Sequence, residues 1–248
     1  IEGSKPEDPA VFMHSSGTTG KPKGIVLSQK NVLSGARNAY AGGAFDYGED
    51  ILGYLPLAWV GDFALTVAAA IAFRFTVNVP ERQETVQRDM REVAPSLYLA
   101  APRSWDHMLT TIQVGMENST PLKKWLYHFF MDKAVEAERR KLSGAGGGSF
   151  EWLGRLVGEK VVFGPIKDQF GLTRLKRAFT GGEAIGEDTF IFYRALGINL
   201  RQLYGQTENS AFNAIQAPGE VKLHTVGKPL PGVEVKIAED GEILMKAD

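Results

Sequence analysis

At 248 residues, with 44% apolar and 23% charged side chains, the chain is long enough to bury a sizeable core as one large domain or two small ones. A formal net charge of −1 excludes a general electrostatic grip on nucleic acid or on an anionic membrane, while a locally basic site stays open. The absence of cysteine excludes disulfides, thiolate metal ligands and a cysteine nucleophile, and suits a reducing cytoplasm.

The opening IEGSKPEDPA has no basic-then-apolar signal pattern, and the longest apolar run, residues 63–73, is too short to span a bilayer. Two short apolar runs, Val11-Phe12-Met13 and Ile25-Val26-Leu27, flank the polar stretch SSGTTGKPKG and predict a hairpin. Ser28 then caps a helix over 29–41, stopped by Gly42-Gly43. A strand is expected over 51–57, a buried apolar helix over 60–73, a strand over 75–79, a polar helix over 83–93 and a short strand over 96–100. A long helix follows over 122–142. Its aromatic face reads first as core packing, with a membrane-contacting or partner-binding face as the alternative. SGAGGGS, residues 143–149, has linker composition, and 152–170 is helical. A strand over 176–180, a turn at Gly181-Gly182, a helix over 186–196 and a strand over 199–204 resume the alternation. The tail from 226 reads as antiparallel β with a tight turn at Asp240-Gly241. The pattern predicts an α/β fold of mostly parallel sheets flanked by helices, ending in small antiparallel strands.

SSGTTGKPKG, residues 15–24, supplies backbone N–H groups freed by glycines, hydroxyls and two lysines, which suits a polyphosphate. It is not the P-loop of the NTPases. Only two residues separate Gly17 from Gly20, Pro22 follows Lys21, and a strand rather than a helix comes next. A solvated hairpin turn is the plainer reading. Strands ending at Thr180 and Tyr204, joined by one helix, are expected to be parallel. That would set Gly181-Gly182-Glu183 and Tyr204-Gly205-Gln206-Thr207-Glu208 at one sheet edge, able to hold a nucleotide and a magnesium ion. Trp59, in LPLAWVGD, fits either the wall of an apolar substrate pocket or core. The four histidines show no metal spacing. His14 beside the loop could touch phosphate or serve structure, and His107, His128 and His224 fit structure or surface.

Taken together, SSGTTGKPKG, YGQTE, LPLAW, TGGEAI and TVGKPLPGVEVKI resemble, in order and spacing, the motifs of the adenylate-forming superfamily. The helical insertion is most similar to its long-chain fatty acyl-CoA synthetase branch. The resemblance implies a two-step ligase using ATP, Mg2+ and coenzyme A: a fatty acid becomes an acyl-adenylate, then an acyl-CoA. It implies that Ser15, Ser16, Gly17, Thr18, Thr19, Gly20, Lys21 and Lys23 hold phosphates. Gly181, Gly182, Glu183, Tyr204, Gly205, Gln206 and Thr207 would frame AMP, and Trp59, Val60 and Gly61 the acyl pocket. Thr207, Glu208, Lys21 and Lys23 would be catalytic, with Glu208 on Mg2+ and Thr18 as an additional oxygen for it.

Three departures accompany the resemblance. His14-Ser15 replaces a common Tyr-Thr, Trp59 replaces a frequent His, and the segment stops before the family's Thr-Gly-Asp motif, hinge and late lysine. The chain is therefore expected to be part of an N-terminal domain whose C-terminal domain is absent. Its phosphate-loop and first α/β part would cover 8–120, the helical insertion 121–172, the second α/β part 173–212, and the start of a β-barrel 222–248. On this view it is cytoplasmic, with no nucleic-acid partner and at most peripheral membrane contact. The alternatives are another adenylating ligase, of aryl or peptide-synthetase type, and a non-catalytic nucleotide- or acyl-binding module.

Overall fold

The computed structural model describes residues 3–15, 23–144 and 151–247. Two units emerge. The first comprises Ile1–Val79, Gln202–Glu220 and Val226–Asp248; the second comprises Pro80–Arg201 and Val221–Thr225.

In the first unit, strands β1 (Pro9–Ser15) and β2 (Lys23–Ser28) pair antiparallel, with Ser15 opposite Lys23 at the open end of the hairpin. Ser28 caps helix α1 (Gln29–Ala41) as expected. Its hydroxyl accepts from the Asn31 N–H at 3.2 Å while the Asn31 side chain accepts from the Ser28 N–H at 3.0 Å. The buried face of α1 is small, Gly35, Ala36 and Ala39, which allows close approach of neighbouring backbone.

The strand expected over 51–57 is shorter. β3 covers Asp50–Leu52 and pairs parallel with β4 (Thr76–Asn78). At Gly53 a side-chain carbon would come within 2.9 Å of the Thr66 methyl, and at Pro56 the chain turns, its carbonyl accepting from the Trp59 N–H. The expected 60–73 helix is continuous but not uniform: α2 (Val60–Phe63) and α3 (Ala70–Phe73) flank a π-helical stretch over Ala64–Ala69. The Thr66 hydroxyl donates to the Asp62 carbonyl at 2.7 Å, taking the acceptor that the Thr66 N–H would use in an α-helix.

In the second unit a 3-10 turn at Gln83–Thr85 leads into α4 (Val86–Val93), and β5 (Leu97–Ala100) follows. Helix α5 (Pro102–Glu117) had no counterpart among the expected elements; Pro102 at its first position is the local signal for its start. Next come α6 (Pro121–Leu142), α7 (Glu151–Gly158), a π-helical stretch at Glu159–Phe163 and α8 (Gly164–Gln169). β6 (Arg177–Thr180) pairs parallel with β5. Helix α9 (Glu187–Ala195) leads to β7 (Leu200–Tyr204), which ends in the first unit. Trp105 of α5 is fully buried and ties three elements together. Its indole N–H donates to the Phe179 carbonyl of β6 at 3.3 Å, and its own carbonyl accepts from the Tyr193 hydroxyl of α9 at 2.8 Å.

Helix α6 corrects part of one reading. Of the face expected to pack, Leu122, Trp125, Leu126, Phe129, Phe130 and Ala134, the residues Leu126, Phe130 and Ala134 are half-buried and the other three are not. The packed stripe is Tyr127, Met131 and Glu138, whereas Leu122, Trp125 and Phe129 are exposed. Trp125 and Phe129 each precede a buried residue by two positions, about 200° around a helix. The linker-like residues 145–149 lie outside the described residues.

Back in the first unit, a 3-10 turn at Thr207–Asn209 leads to β8 (Ala214–Ile215), which pairs antiparallel with both β7 and β9 (Lys228–Pro229). β10 (Val233–Ile237) and β11 (Ile243–Ala247) form the expected antiparallel pair, turning at Asp240-Gly241, where Gly241 has φ +89°. The fold is thus mixed α/β, with parallel pairs β3–β4 and β5–β6 flanked by helices and small antiparallel strands toward the C-terminal end.

Candidate functional site

The hairpin β1–β2 holds the two ends of the polar loop, Ser15 and Lys23, as cross-strand partners. Lys23 is exposed. Ser15 is half-buried, and its Oγ is shielded from solvent with no hydrogen-bond partner among the described residues. A buried hydroxyl without a partner costs free energy unless a ligand or water satisfies it. Ser16, Gly17, Thr18, Thr19, Gly20 and Lys21 lie outside the described residues.

The turn after β7 packs against both strands of this hairpin, through Thr207–Asn209. Two of the sequence-predicted elements, the hairpin that carries the polar loop and the turn that carries Thr207 and Glu208, are therefore neighbours within the first unit. The turn is wound unusually tightly. The Asn213 N–H donates to the Tyr204 carbonyl at 3.0 Å and the Ala211 N–H to the Gln206 carbonyl at 3.1 Å. Ser210 and Ala211 both adopt left-handed backbone, with φ +54° and +81°. Non-glycine residues held there store strain, and such strain concentrates at functional sites. The Asn209 amide bridges the loop to Asn213 Oδ1 at 2.6 Å. Glu208, on the 3-10 turn, points to an exposed position, while Tyr204, Gly205, Gln206 and Thr207 are half-buried.

A polar cleft opens beside the turn, lined by Asn31 and Asn38 of α1 and by Glu208, Asn209 and Ser210. Ser210 Oγ is buried and has no partner among the described residues. Sequence reasoning missed Ser210 and the left-handed pair. The available signal was Gly35 in the interior of α1: a side-chain carbon there would meet the Ser210 Cβ at 2.8 Å, so the glycine is what lets the turn approach the helix.

Trp59 also lies in the first unit, preceding α2. Its indole covers the buried Gly61, where a side-chain carbon would fall 2.6 Å from the ring, and Val60 is buried beside it. Asp62, unassigned from sequence, is buried. Burial pushes its carboxyl up to about 6, against hydrogen bonds from the Thr66 hydroxyl and the Leu55 backbone that hold it down. In the second unit, Gly181 is buried, Gly182 takes φ +95° and Glu183 is exposed. Thr180, just before them, buries an Oγ with no partner among the described residues. Arg201 stacks over the Phe179 ring at 4.6 Å, and burial lowers its guanidinium to about 10, with Arg177 and Arg194 acting in the same direction.

No group of three or more His, Asp or Glu side chains among the described residues is placed to hold a metal by itself. A lone carboxylate such as Glu208, beside hydroxyl and amide oxygens, fits a hard cation that takes its other ligands from phosphate and water.

The model of the AMP-binding enzyme family matches residues 1–246. The chain is 27% identical to a putative fatty-acid–CoA ligase, fadD11, of Mycobacterium tuberculosis, over 98% of this chain and 43% of that protein. It is 31% identical to the long-chain-fatty-acid–CoA ligase FadD15 of Mycobacterium bovis, over 96% of this chain and 39% of that protein. Among solved structures, a long-chain-fatty-acid–CoA ligase of Archaeoglobus fulgidus superposes with a TM-score of 0.65 at 20% identity, over 97% of this chain and 41% of that one, which shows the shared fold. The chain spans less than half the length of these relatives.

Proposed function

The chain belongs to the AMP-binding enzyme family, and on that premise we propose that it forms the ATP- and acyl-binding part of a ligase. This ligase converts a long-chain fatty acid to its acyl-adenylate and then to acyl-CoA. A carboxylate oxygen attacks the α-phosphorus of ATP, the bond to the β-phosphate breaks and pyrophosphate leaves. The coenzyme A thiolate then attacks the acyl carbonyl carbon and AMP leaves. The choice of fatty acid is supported by the names of the relatives, FadD15 among them.

The observation that carries the reading is the packing of Thr207–Asn209 onto the hairpin that presents Ser15 and Lys23. One element brings a hydroxyl and a carboxylate; the other brings a lysine and a shielded hydroxyl with no partner among the described residues. Departure of pyrophosphate builds negative charge on its oxygens, and donors already fixed in place lower that barrier. Ser15, with residues 16–21 and Lys23, is assigned the β- and γ-phosphates, and Thr207 the α-phosphate. Glu208 would hold Mg2+, which supplies charge neutralisation on the phosphate oxygens. Gly205 keeps the turn closed enough for Tyr204 and Gln206 to border AMP. Gly181, Gly182 and Glu183 are assigned to the adenine, and Trp59, Val60 and Gly61 to the acyl pocket. The relatives are more than twice as long, and on this reading their remaining length includes a C-terminal domain that completes the site. The proposed location is cytoplasmic.

The test is fatty-acid-dependent exchange of labelled pyrophosphate into ATP by the full-length protein. Glu208→Gln should lower the exchange rate by about 100-fold or more. Absence of exchange with every carboxylic acid offered would refute the assignment.

A further inference from the structure

Ala211, Phe212, Asn213, Ala214 and Ile215, which follow the turn, are all buried, and only Asn213 among them is polar. It has no exposed surface. Its backbone does not call for an asparagine. The N–H donates to the Tyr204 carbonyl at 3.0 Å and the carbonyl accepts from the Leu230 N–H at 2.9 Å, bonds that any residue but proline makes equally well. Its side chain makes one bond, accepting from the Asn209 amide at 2.6 Å, while its own Nδ2 is buried with no partner among the described residues. Half of a buried amide left unpaired costs stability, and an apolar side chain of similar size would avoid that cost. Packing therefore does not account for an asparagine here. The bond to Asn209 does.

That bond spans a strained segment. Asn209 and Asn213 stand on either side of Ser210 and Ala211, the two residues held in left-handed backbone. Backbone in that region relaxes unless the surrounding structure over-determines it. The base of the loop is fixed by the Ala211 N–H bond to the Gln206 carbonyl and by the close approach of Gly205 to Ala211. The far end, the 3-10 turn Thr207–Asn209, is tied to the buried segment by the Asn209 side chain. Glu208, the neighbour of Asn209, is exposed, so the backbone of this turn rather than packing sets where its carboxylate stands.

We propose that Asn213 is a positioning residue for the phosphate side of the reaction, an inference that rests on the ligase reading. It touches neither nucleotide nor metal. Acting through Asn209, it clamps the Ser210-Ala211 pair and keeps Thr207 and Glu208 where the phosphates and Mg2+ require them. A group that orients a metal ligand without touching the metal commonly changes affinity tenfold or more when it is removed.

The experiment is calorimetric titration of the full-length protein with MgATP, alongside the Michaelis constants of pyrophosphate exchange. Asn213→Leu should weaken MgATP binding by about tenfold. The melting temperature and the KM for fatty acid should stay near the wild-type values, because the acyl pocket is assigned to other elements. Asn209→Ala, at a half-buried position, removes the same bond from its other end and should weaken MgATP binding equally. It carries the test should the leucine variant melt early. The double variant should bind MgATP as each single does, since both substitutions remove one bond. The proposal is overturned if either single variant binds MgATP like the wild type, or if the two losses multiply in the double variant. It is also overturned if MgATP binding and the fatty-acid KM worsen together with a fall in melting temperature, which would make Asn213 a core residue only. Variants that match a wild type active in exchange leave the ligase reading standing without this inference. A wild type that exchanges pyrophosphate with no acid removes both.

Discussion

Gly205 and Ala211 meet backbone to backbone: a side-chain carbon placed on Gly205 would lie 1.4 Å from the Ala211 carbonyl oxygen. That contact closes the loop between β7 and β8, whose Thr207–Asn209 turn lies against the hairpin. The obstacle is backbone, fixed in turn by the Ala211 N–H bond to Gln206, so no side chain can swing aside. Gly205→Ala is predicted to destabilise the protein by about 3 kcal/mol, the upper end of overpacking costs, because the loop must open. Thermal melts and ATP titration of the same variant check this. A lowered melting temperature together with weakened ATP binding is the expected pair of results, and a variant matching wild type in both would overturn it.

Asp62 makes stability pH-dependent in a definite direction. Its carboxyl is raised from 3.8 to about 6, principally by burial, so the folded state holds its proton more tightly than the unfolded chain does. The contribution is fully present below about pH 4 and is lost as pH rises through about 6, where burying the charged form becomes costly. Asp62→Asn keeps the shape and removes the charge. It should leave stability unchanged below pH 4 and raise it by about 2 kcal/mol at neutral pH. Urea melts across pH 4 to 8 read this directly: parallel curves for the two proteins would show that Asp62 does not titrate in this window.

Much of the chain was legible because its signals are local. Ser28 with Asn31 caps α1 as a reciprocal pair, and Gly42-Gly43 ends that helix where the sequence changes character. Apolar runs on both sides of SSGTTGKPKG predicted the hairpin whose register sets Ser15 against Lys23. What was not legible depends on contacts distant in sequence. Periodicity shows that α6 has an apolar stripe at Leu122, Trp125 and Phe129, but Tyr127 and Met131 form a second one, and only packing decides which is buried. The left-handed Ser210-Ala211 pair has no composition signal, since neither residue favours that conformation. Asp62 reads as one more acid, and its raised titration comes wholly from the surroundings the fold builds.

Glu138 and Arg194 offer the clearest energetic test of the second unit. Glu138 of α6 accepts from Arg194 Nε of α9 at 2.6 Å, with side chains only 6% and 10% exposed. The guanidinium also donates to the Leu200 carbonyl at 2.9 Å, so it fastens α6, α9 and the start of β7 at one point. Taking two charges out of water is costly, and their attraction repays this only while both are present. Glu138→Gln would leave the arginine buried without a counter-charge, and should cost about 3 kcal/mol in urea unfolding. Arg194→Met would strand the carboxylate and should cost a similar amount. Glu138→Met with Arg194→Met replaces the pair by apolar side chains of comparable length, losing the Leu200 contact but no longer burying a lone charge. The double variant should therefore be less destabilised than the sum of the singles by about 2 kcal/mol or more. Additive losses would mean that the two groups hold α6 and α9 independently, through their aliphatic stems rather than through the ion pair.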